Sequence, residues 1–231
     1  MFKYGCCFIV LCCKVEQKQP KKHIKNARYR KFLDEGIIKT LKEEDIILVC
    51  QNIKHKYPAE ARNLIITLYL TGARPNEALK LKGKDFKDEG KNITISLQPS
   101  KKGLPRTIYL QRKNKLVDYL AKYGLRCYDE AYIFPHFRGG YNRKRVTKRG
   151  IIERIEYADK LRYWVKKWFS VLPDGTITTY FLRHNRFSRL AEAGATMEQI
   201  RLLKGARTFD SVTPYLHMST ETAKKMSKKI N

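Results

Sequence analysis

The residue whose position most clearly points to chemistry is Arg183. Four residues recur at helical spacing in the stretch 178–215: Tyr180, Arg183, Phe187 and Leu190. The arginine therefore shares a predicted stripe with apolar side chains, which directs it inward or into a groove. An arginine so placed is seldom found without an anion. Because a guanidinium can hold two oxygens of one phosphodiester, Arg183 is a candidate phosphate ligand.

The charge of the whole chain also indicates an anionic partner. The 231 residues include 49 Lys and Arg against 22 Asp and Glu, a formal net charge of +27. The chain is 42% hydrophobic and 11% aromatic, which is the composition of a globular protein rather than a disordered basic tail. Such an excess favours nucleic acid, through phosphate contacts and counterion release, over an anionic membrane surface. A lysine-rich proteome from a hot or salty habitat would explain part of it.

Two helices joined by a short connection are predicted to position Arg183. Each has the boundary residues that helices prefer, an N-cap hydroxyl before it and a glycine after it. In chain order these residues are Thr178 or Thr179 with Gly194, then Thr196 and Gln199, which form a capping box, with Gly205. Tyr215 follows ten residues later, beside a proline near the start of a third predicted helix.

The remaining pattern predicts an α+β fold that is mainly helical, with a small antiparallel β-sheet. The predicted helices span residues 40–56, 59–70, 75 onwards, 112–123 and 151–172. Alternating apolar residues over 92–97 and 106–110 predict a hairpin. Between 137 and 150 lies a basic, glycine-containing stretch, which we predict to be a surface loop or a loop that follows a DNA backbone.

At this point the chain resembles a known family, the tyrosine recombinases (phage-type integrases and Xer-type resolvases). The residues that match its C-terminal signature are Leu182-Arg183-His184, the turn 191–195, Leu202-Leu203, Gly205 and Tyr215. A second match is TGARPNEALKLKGKDF at 71–86, which resembles the first arginine motif, with Arg74 followed three residues later by Glu77. Spacing alone would favour a surface arginine on a helix–helix turn.

The resemblance also implies a lysine on the hairpin loop. Matching Ser-Lys-x-Gly places it at Lys101, with Lys102 as the rival. A solvated lysine-rich hairpin tip is the alternative interpretation. The implied catalytic residues are Arg74, Lys101, Tyr180, Arg183 and Tyr215, with Glu77 and His184 in support.

The implied chemistry is phosphoryl transfer to a tyrosine. Two arginines would neutralise the charge that grows on the non-bridging oxygens, and two nearby arginines would favour the phenolate of Tyr215. Attack on phosphorus would give a covalent 3′-phosphotyrosine and a free 5′-hydroxyl, which Lys101 could protonate. The ester keeps the bond energy, so rejoining would need no metal, ATP or other cofactor.

The chain departs from the family pattern at two positions. The usual His-x-x-Arg has Tyr180 in place of the histidine, and the second His or Trp, expected after Gly205, falls on Ala206. Lys204 or Arg207 could substitute for it. Tyrosine at the first position is frequent in archaeal integrases, so we expect an archaeal virus or plasmid integrase.

The family implies double-stranded DNA as the partner and a homotetramer on paired sites. The predicted DNA contacts are Lys102, Arg106, Arg143, Lys144, Arg145, Lys204 and Arg207. We predict an N-terminal apolar segment and basic arm over 1–37 and the catalytic domain over 38–231. The arm is too short for the separate DNA-clamping domain of many relatives, so we expect weak DNA grip or a longer or split gene.

No membrane association is predicted, because the apolar run 6–13 is too short to span a bilayer. The six cysteines form neither a zinc pattern nor an evident disulfide framework, so the cytoplasm is the expected location. Two alternatives stay open for function. One is a catalytically inactive DNA-binding descendant, and the other is a DNA-relaxing enzyme resembling type IB topoisomerases.

Overall fold

The structure is a computed structural model that describes residues 41–99, 103–138, 142–147, 150–155, 158–173 and 177–215. The predicted N-terminal arm lies outside these residues. So does the predicted lysine pair at the hairpin tip. In the described part of the chain, no helix is both long and apolar enough to cross a membrane.

A buried helix, α2 (Pro58–Thr71), forms the centre of the fold. Its residues are buried on nearly every side, including the polar Glu60, Asn63, Thr67 and Thr71. The longer helices that pack against it are α1 (Glu43–Gln51), α4 (Lys115–Gly124) and α7 (Thr179–Glu192). It ends at Gly72, whose φ of 61° lies in the left-handed region that glycine adopts without strain.

The first helix, α1, is shorter than the sequence predicted. It begins at Glu43 rather than near Thr40, because the Asp45 carboxylate accepts the N–H of Lys42 at 2.8 Å and fixes the start there. It ends at Gln51 rather than near Lys56, where the Asn52 amide donates to the Leu48 carbonyl at 2.8 Å.

A three-stranded antiparallel sheet lies beside the helices. Its strands are β1 (Phe86–Glu89), β2 (Asn92–Leu97) and β3 (Arg106–Gln111), in that order across the sheet. The predicted hairpin is confirmed, with Ile95 opposite Ile108, and β1 is an addition that the sequence did not predict. Along β3, Arg106, Ile108 and Leu110 are buried and alternate with more exposed residues.

The prediction for residues 137–172 was correct only over 158–168. After a short helix α5 (Pro135–Arg138), the strands β4 (Asn142–Thr147) and β5 (Gly150–Ile155) pair with each other, and only Ala158–Trp168 forms the helix α6. Ile151, Ile152 and Ile155 are β-branched, and that preference for strands outweighs the helical spacing that Ile155 shares with the residues after it.

The two predicted C-terminal helices are confirmed, together with their caps. Thr178 Oγ1 accepts from the Phe181 N–H at 3.2 Å to begin α7, and Thr196 and Gln199 form the capping box of α8 (Met197–Lys204). Gly205 ends α8 with φ 64°. A 3₁₀ turn, Thr213–Tyr215, then brings Tyr215 back against α7.

Candidate active site

Three arginines converge on one buried carboxylate. Glu77, in the short helix α3 (Pro75–Ala78), accepts from Arg74 Nη1 at 2.8 Å and from Arg106 Nη2 at 2.7 Å. Arg183 Nη1 lies 3.7 Å from the same carboxylate. We call these four residues the arginine cluster. Three positive charges against one negative charge make it a site for an anion.

Exposure differs sharply among the three arginines. The side chain of Arg74 is 36% exposed, whereas those of Arg106 and Arg183 are 3% and 5% exposed. An anion that enters from solvent therefore meets Arg74 first. Burial would raise the pKa of Glu77, but the contacts with Arg106 and the charge of Arg183 outweigh it and hold that pKa below its usual value.

Arg183 connects the arginine cluster to the C-terminal helices. Its Nη1 donates to the Gly72 carbonyl at 2.5 Å and its Nη2 donates to the Lys204 carbonyl at 2.9 Å. Burial, and then the charge of Arg74, lower the pKa of Arg183 to about 9, so the guanidinium remains charged at neutral pH. The inward direction predicted for this side chain is confirmed.

Tyr215 lies in a neighbouring pocket, which we call the tyrosine pocket. Its ring packs against the His184 ring at 4.3 Å and the Phe187 ring at 5.8 Å between centroids. Lys204 Nζ lies 4.6 Å from the centre of the Tyr215 ring. His184, Phe187, Lys204 and Tyr215 are all buried. The nucleophile candidate and the arginine cluster are thus joined through Arg183 and Lys204.

Burial suppresses charge throughout the tyrosine pocket. It lowers the pKa of Lys204 to about 7, with the charges of Arg183 and Arg74 acting in the same direction. It lowers the pKa of His184 to about 3, with Lys204 adding to the effect. Burial and Tyr180 raise the pKa of Tyr215, and Arg183 and Arg74 offset this only in part. The two arginines favour the phenolate, as expected from the sequence, but burial outweighs them and Tyr215 keeps its proton.

The hairpin loop is fixed to this site at its C-terminal end. The Leu104 N–H donates to the Gly205 carbonyl at 3.1 Å. A Cβ added to Gly103 would lie 3.0 Å from that carbonyl and 3.9 Å from Arg74 Nη1. The predicted Lys101 and Lys102 lie outside the described residues, but the chain that follows them runs beside Arg74.

The other predicted site residues have varied positions. Tyr180 is 57% exposed at the first turn of α7 and does not point inward, although its ring centroid lies 6.2 Å from that of His184. Arg207 is exposed just after α8. Arg143, Lys144 and Arg145 lie in β4 rather than in a loop.

Two predicted DNA contacts are buried instead of lying on the surface. Arg106 belongs to the arginine cluster, and Lys204 belongs to the tyrosine pocket. The sequence held a signal for each. Arg106 alternates with Ile108 and Leu110 on the buried face of β3, and Lys204 stands four residues after the buried Ile200 on α8.

The comparisons with known proteins agree with this architecture. The family model described as the phage integrase family matches residues 39–222. Tyrosine recombinase XerC of Leptospira interrogans is 25% identical over 189 residues, which cover 81% of this chain and 56% of that protein. Integrase/recombinase y4qK of Sinorhizobium fredii is 26% identical over 157 residues, or 68% of this chain and 46% of that protein. The chain spans about half the length of the curated relatives it matches.

Solved structures show the same fold. XerH site-specific recombinase bound to its difH substrate matches with a TM-score of 0.56 at 22% identity, over 80% of this chain and 52% of that one. XerA recombinase matches with a TM-score of 0.55 at 17% identity, over 84% and 65% of the two chains. The described residues therefore have the fold of a tyrosine recombinase catalytic domain, mostly helical with a small antiparallel sheet. The chain belongs to the phage integrase family.

Proposed function

We propose that this chain catalyses site-specific DNA strand exchange through a covalent 3′-phosphotyrosine at Tyr215. The observation that carries the proposal is the bridge between the arginine cluster and the tyrosine pocket. Arg183 bonds to the carbonyl of Lys204, and the side chain of Lys204 lies on the Tyr215 ring. A phosphate held by the arginines would therefore lie next to the phenol.

The arginine cluster would bind the scissile phosphate and stabilise its transition state. Arg74 offers the most exposed guanidinium, and Arg183 lies behind it with charge that one buried carboxylate does not cancel. Guanidiniums fit the non-bridging oxygens of a phosphodiester as paired donors. Fixed charges of this kind, aimed at oxygens that gain charge, usually supply the largest catalytic contribution.

The nucleophile would be uncharged until the phosphate arrives. Because burial raises the pKa of Tyr215, its proton has to leave as the oxygen attacks phosphorus. The 5′ oxygen would leave and take a proton from Lys101, the hairpin lysine that the family pattern indicates. Attack by a second 5′-hydroxyl on the phosphotyrosine would then rejoin the strands. This sequence of steps uses neither ATP nor a metal ion.

The partners that we propose are double-stranded DNA and further copies of this chain. XerH and the Tn1549 transposon integrase were each solved as complexes with DNA. The exposed Arg207, the basic strand β4 and Lys102 would contact the DNA backbone, and a tetramer on paired sites would exchange the strands. Specificity for one site would require base contacts in addition.

Covalent trapping tests this function directly. The protein is incubated in EDTA with a library of suicide duplexes, nicked near the cleavage point and drawn from the DNA that flanks the gene. We expect a denaturant-stable protein–DNA adduct that Tyr215→Phe abolishes and Tyr180→Phe only weakens. Tyr180→Phe is the matched control, because it removes one hydroxyl from an exposed tyrosine beside the same pocket.

The alternative functions give different results in this experiment. Salt-sensitive DNA binding without any adduct would indicate a DNA-binding descendant that has lost turnover. An adduct that persists in Tyr215→Phe would exclude Tyr215 as the nucleophile. Relaxation of supercoiled plasmid without a specific target would indicate an enzyme of the topoisomerase kind.

A further inference from the structure

We propose that Lys204 accepts the proton that Tyr215 loses when its oxygen attacks phosphorus. This inference rests on the function proposed above and assigns one further catalytic residue to the same site. The sequence placed Lys204 among the DNA contacts, and the structure instead buries it against the nucleophile candidate.

The amine of Lys204 lies over the face of the Tyr215 ring. Nζ lies 4.6 Å from the centre of the Tyr215 ring, and the phenol oxygen lies on the rim of that ring. Nζ also donates to the Ser211 carbonyl, in the segment that leads to Tyr215. These two contacts hold the end of a flexible side chain beside one reacting residue.

The hydrogen bond to Ser211 is compatible with a neutral amine. A neutral Nζ can donate one hydrogen to that carbonyl and still direct its lone pair to the phenol. The surroundings favour this form, because burial and two arginines lower the pKa of Lys204 to about 7. A general base is most effective when its pKa lies near the working pH.

The groups around Lys204 explain why it loses charge so readily. Arg183 and His184 face it from α7, Arg74 from the start of α3, and Tyr215 from the 3₁₀ turn. Arg106 approaches from β3, with Nη1 only 3.0 Å from where a Cβ on Gly205 would lie. Three of these five groups are cations, and a fourth cation among them is disfavoured.

The other bases near Tyr215 are poorer proton acceptors. His184 is closer ring to ring, but its pKa of about 3 makes it too weak a base, and its Nδ1 pairs with Ser188 Oγ at 3.3 Å. The hydroxyl of Tyr180 is a weak base near neutral pH. Lys204 is therefore the acceptor that the described part of the pocket favours.

The step balances in atoms and charge. The O–H bond of Tyr215 breaks as its oxygen bonds to phosphorus, and the proton passes to the neutral Nζ, which becomes an ammonium. The bond between phosphorus and the 5′ oxygen breaks, and that oxygen takes its proton from Lys101. In the rejoining step, the O–H bond of the incoming 5′-hydroxyl breaks as its oxygen bonds to phosphorus, and its proton passes to the neutral amine of Lys101. The Lys204 ammonium returns its own proton to the departing phenol oxygen.

A leaving group that needs no proton isolates this role. Adduct formation is measured in single turnover with two duplexes, one with the natural 5′ oxygen and one with sulfur in its place. Lys204→Met is expected to slow both reactions by roughly 10²–10³-fold, since general base catalysis contributes on that order. The wild-type rate should rise with pH as Lys204 loses its proton and becomes able to accept the one from Tyr215. Lys204→Arg is expected to slow both reactions as well and to remove this rise, because arginine stays protonated.

Several results would overturn the proposal. Rescue of Lys204→Met by the sulfur duplex would show that Lys204 protonates the leaving group instead. A wild-type rate in Lys204→Arg would show that only a positive charge is needed. Lys166→Met, which removes an exposed lysine from α6, controls for the lost charge and should react normally. If the wild type forms no adduct, the proposed function fails first and this inference fails with it.

Discussion

The arginine cluster and the tyrosine pocket are in contact through Arg183 and Lys204, yet their buried ionisable groups differ in charge. In the arginine cluster, Glu77 stays ionised although it is buried, because it accepts from Arg74 and Arg106. In the tyrosine pocket, burial is the largest influence on Lys204, His184 and Tyr215, and it shifts each pKa towards the neutral form. The difference lies in the charge of the neighbours rather than in depth, because Glu77 faces cations of opposite sign whereas Lys204 faces the like charges of Arg183 and Arg74.

This contrast is what a reaction between a phosphate anion and a tyrosine nucleophile would require, with the arginine cluster for the first and the tyrosine pocket for the second. The side that would bind phosphate keeps its charges fixed and oriented, so no reorganisation is needed when the substrate arrives. The tyrosine pocket keeps the Tyr215 proton and the amine that we propose as its acceptor together among buried side chains. A permanently ionised tyrosine would instead pair with the arginines and compete with the phosphate.

The largest expected effect comes from the residue that joins the two regions. Arg183→Lys keeps one positive charge but cannot donate to the carbonyls of Gly72 and Lys204 at once. We expect adduct formation to fall by roughly 10²–10³-fold, with DNA binding retained, since the loss falls on transition-state stabilisation. Single-turnover trapping and a gel-shift titration measure the two quantities.

The control for that variant is Arg186→Lys, one turn further along α7. Arg186 is half-buried but contributes nothing to the arginine cluster that the structure describes. An equal loss in both variants would mean that α7 merely needs arginines for packing. The distinction between the two regions would then lose its main support.

Removing the carboxylate tests the arginine cluster itself. Glu77→Gln leaves Arg74, Arg106 and Arg183 close together without an anion, and breaking a buried ion pair costs about 3–5 kcal/mol of unfolding free energy. Denaturant unfolding of the two proteins measures it. Glu130→Gln, which removes an exposed carboxylate from Lys82 and Lys84, should change stability little.

The same variant predicts a change in acid stability. The folded pKa of Glu77 lies below its unfolded value of about 4.3, so its stabilisation is complete above that pH and is lost as pH falls through the folded pKa. His184 adds a loss of stability between pH 6.5 and about 3 in both proteins. Below pH 4.5, the thermal midpoint of Glu77→Gln should therefore fall less steeply with falling pH than that of the wild type. Above that pH, the two profiles should have the same slope.

Local signals in the sequence predicted much of the fold. Thr178, Thr196, Gly72 and Gly205 cap helices as expected, because a cap depends on residues within one turn. The inward direction of Arg183 followed from helical period. The predicted alternation over 106–110 already put Arg106 on the same face as Ile108 and Leu110, which is the buried face, yet Arg106 was predicted among the DNA contacts.

The errors arose where distant contacts decide the outcome. Strand β5 looked like the start of a helix, because its pairing with β4 is not visible in the spacing of Ile151 and Ile155 alone. The ionisation of Tyr215 depends on how deeply it is buried against α7 and α8, which the sequence alone does not show. The two nearby arginines lower the pKa of Tyr215 as predicted, but the larger effect of burial could not be seen in the sequence.

Gly205 lies between the two regions, next to Lys204 in the chain and beside Arg106 in space. We expect its substitution to lower the stability of the protein. A Cβ there would meet the Leu104 carbonyl at 2.7 Å and Arg106 Nη1 at 3.0 Å, on a backbone with φ 64°. Gly194 is the matched control, with φ 88° and nothing within 4 Å. Gly194→Ala should cost about 1–2 kcal/mol for the left-handed backbone, and Gly205→Ala should cost roughly 1–3 kcal/mol more from the clash. Equal losses in chemical denaturation would mean that the loop moves aside freely.

The smallest effect concerns the charge of Lys204 and appears as a slope. Its folded pKa of about 7 lies below the unfolded value of about 10.4, so the unfolded chain binds more protons between these values and stability rises with pH there. Lys204→Met should remove that rise in the thermal midpoint between pH 7 and 9 and should raise the midpoint at pH 7. Lys166→Met should keep the wild-type slope, because Lys166 is exposed. An unchanged slope in Lys204→Met would mean that Lys204 is charged like a surface lysine, and the contrast between the tyrosine pocket and the arginine cluster would then fail at this residue.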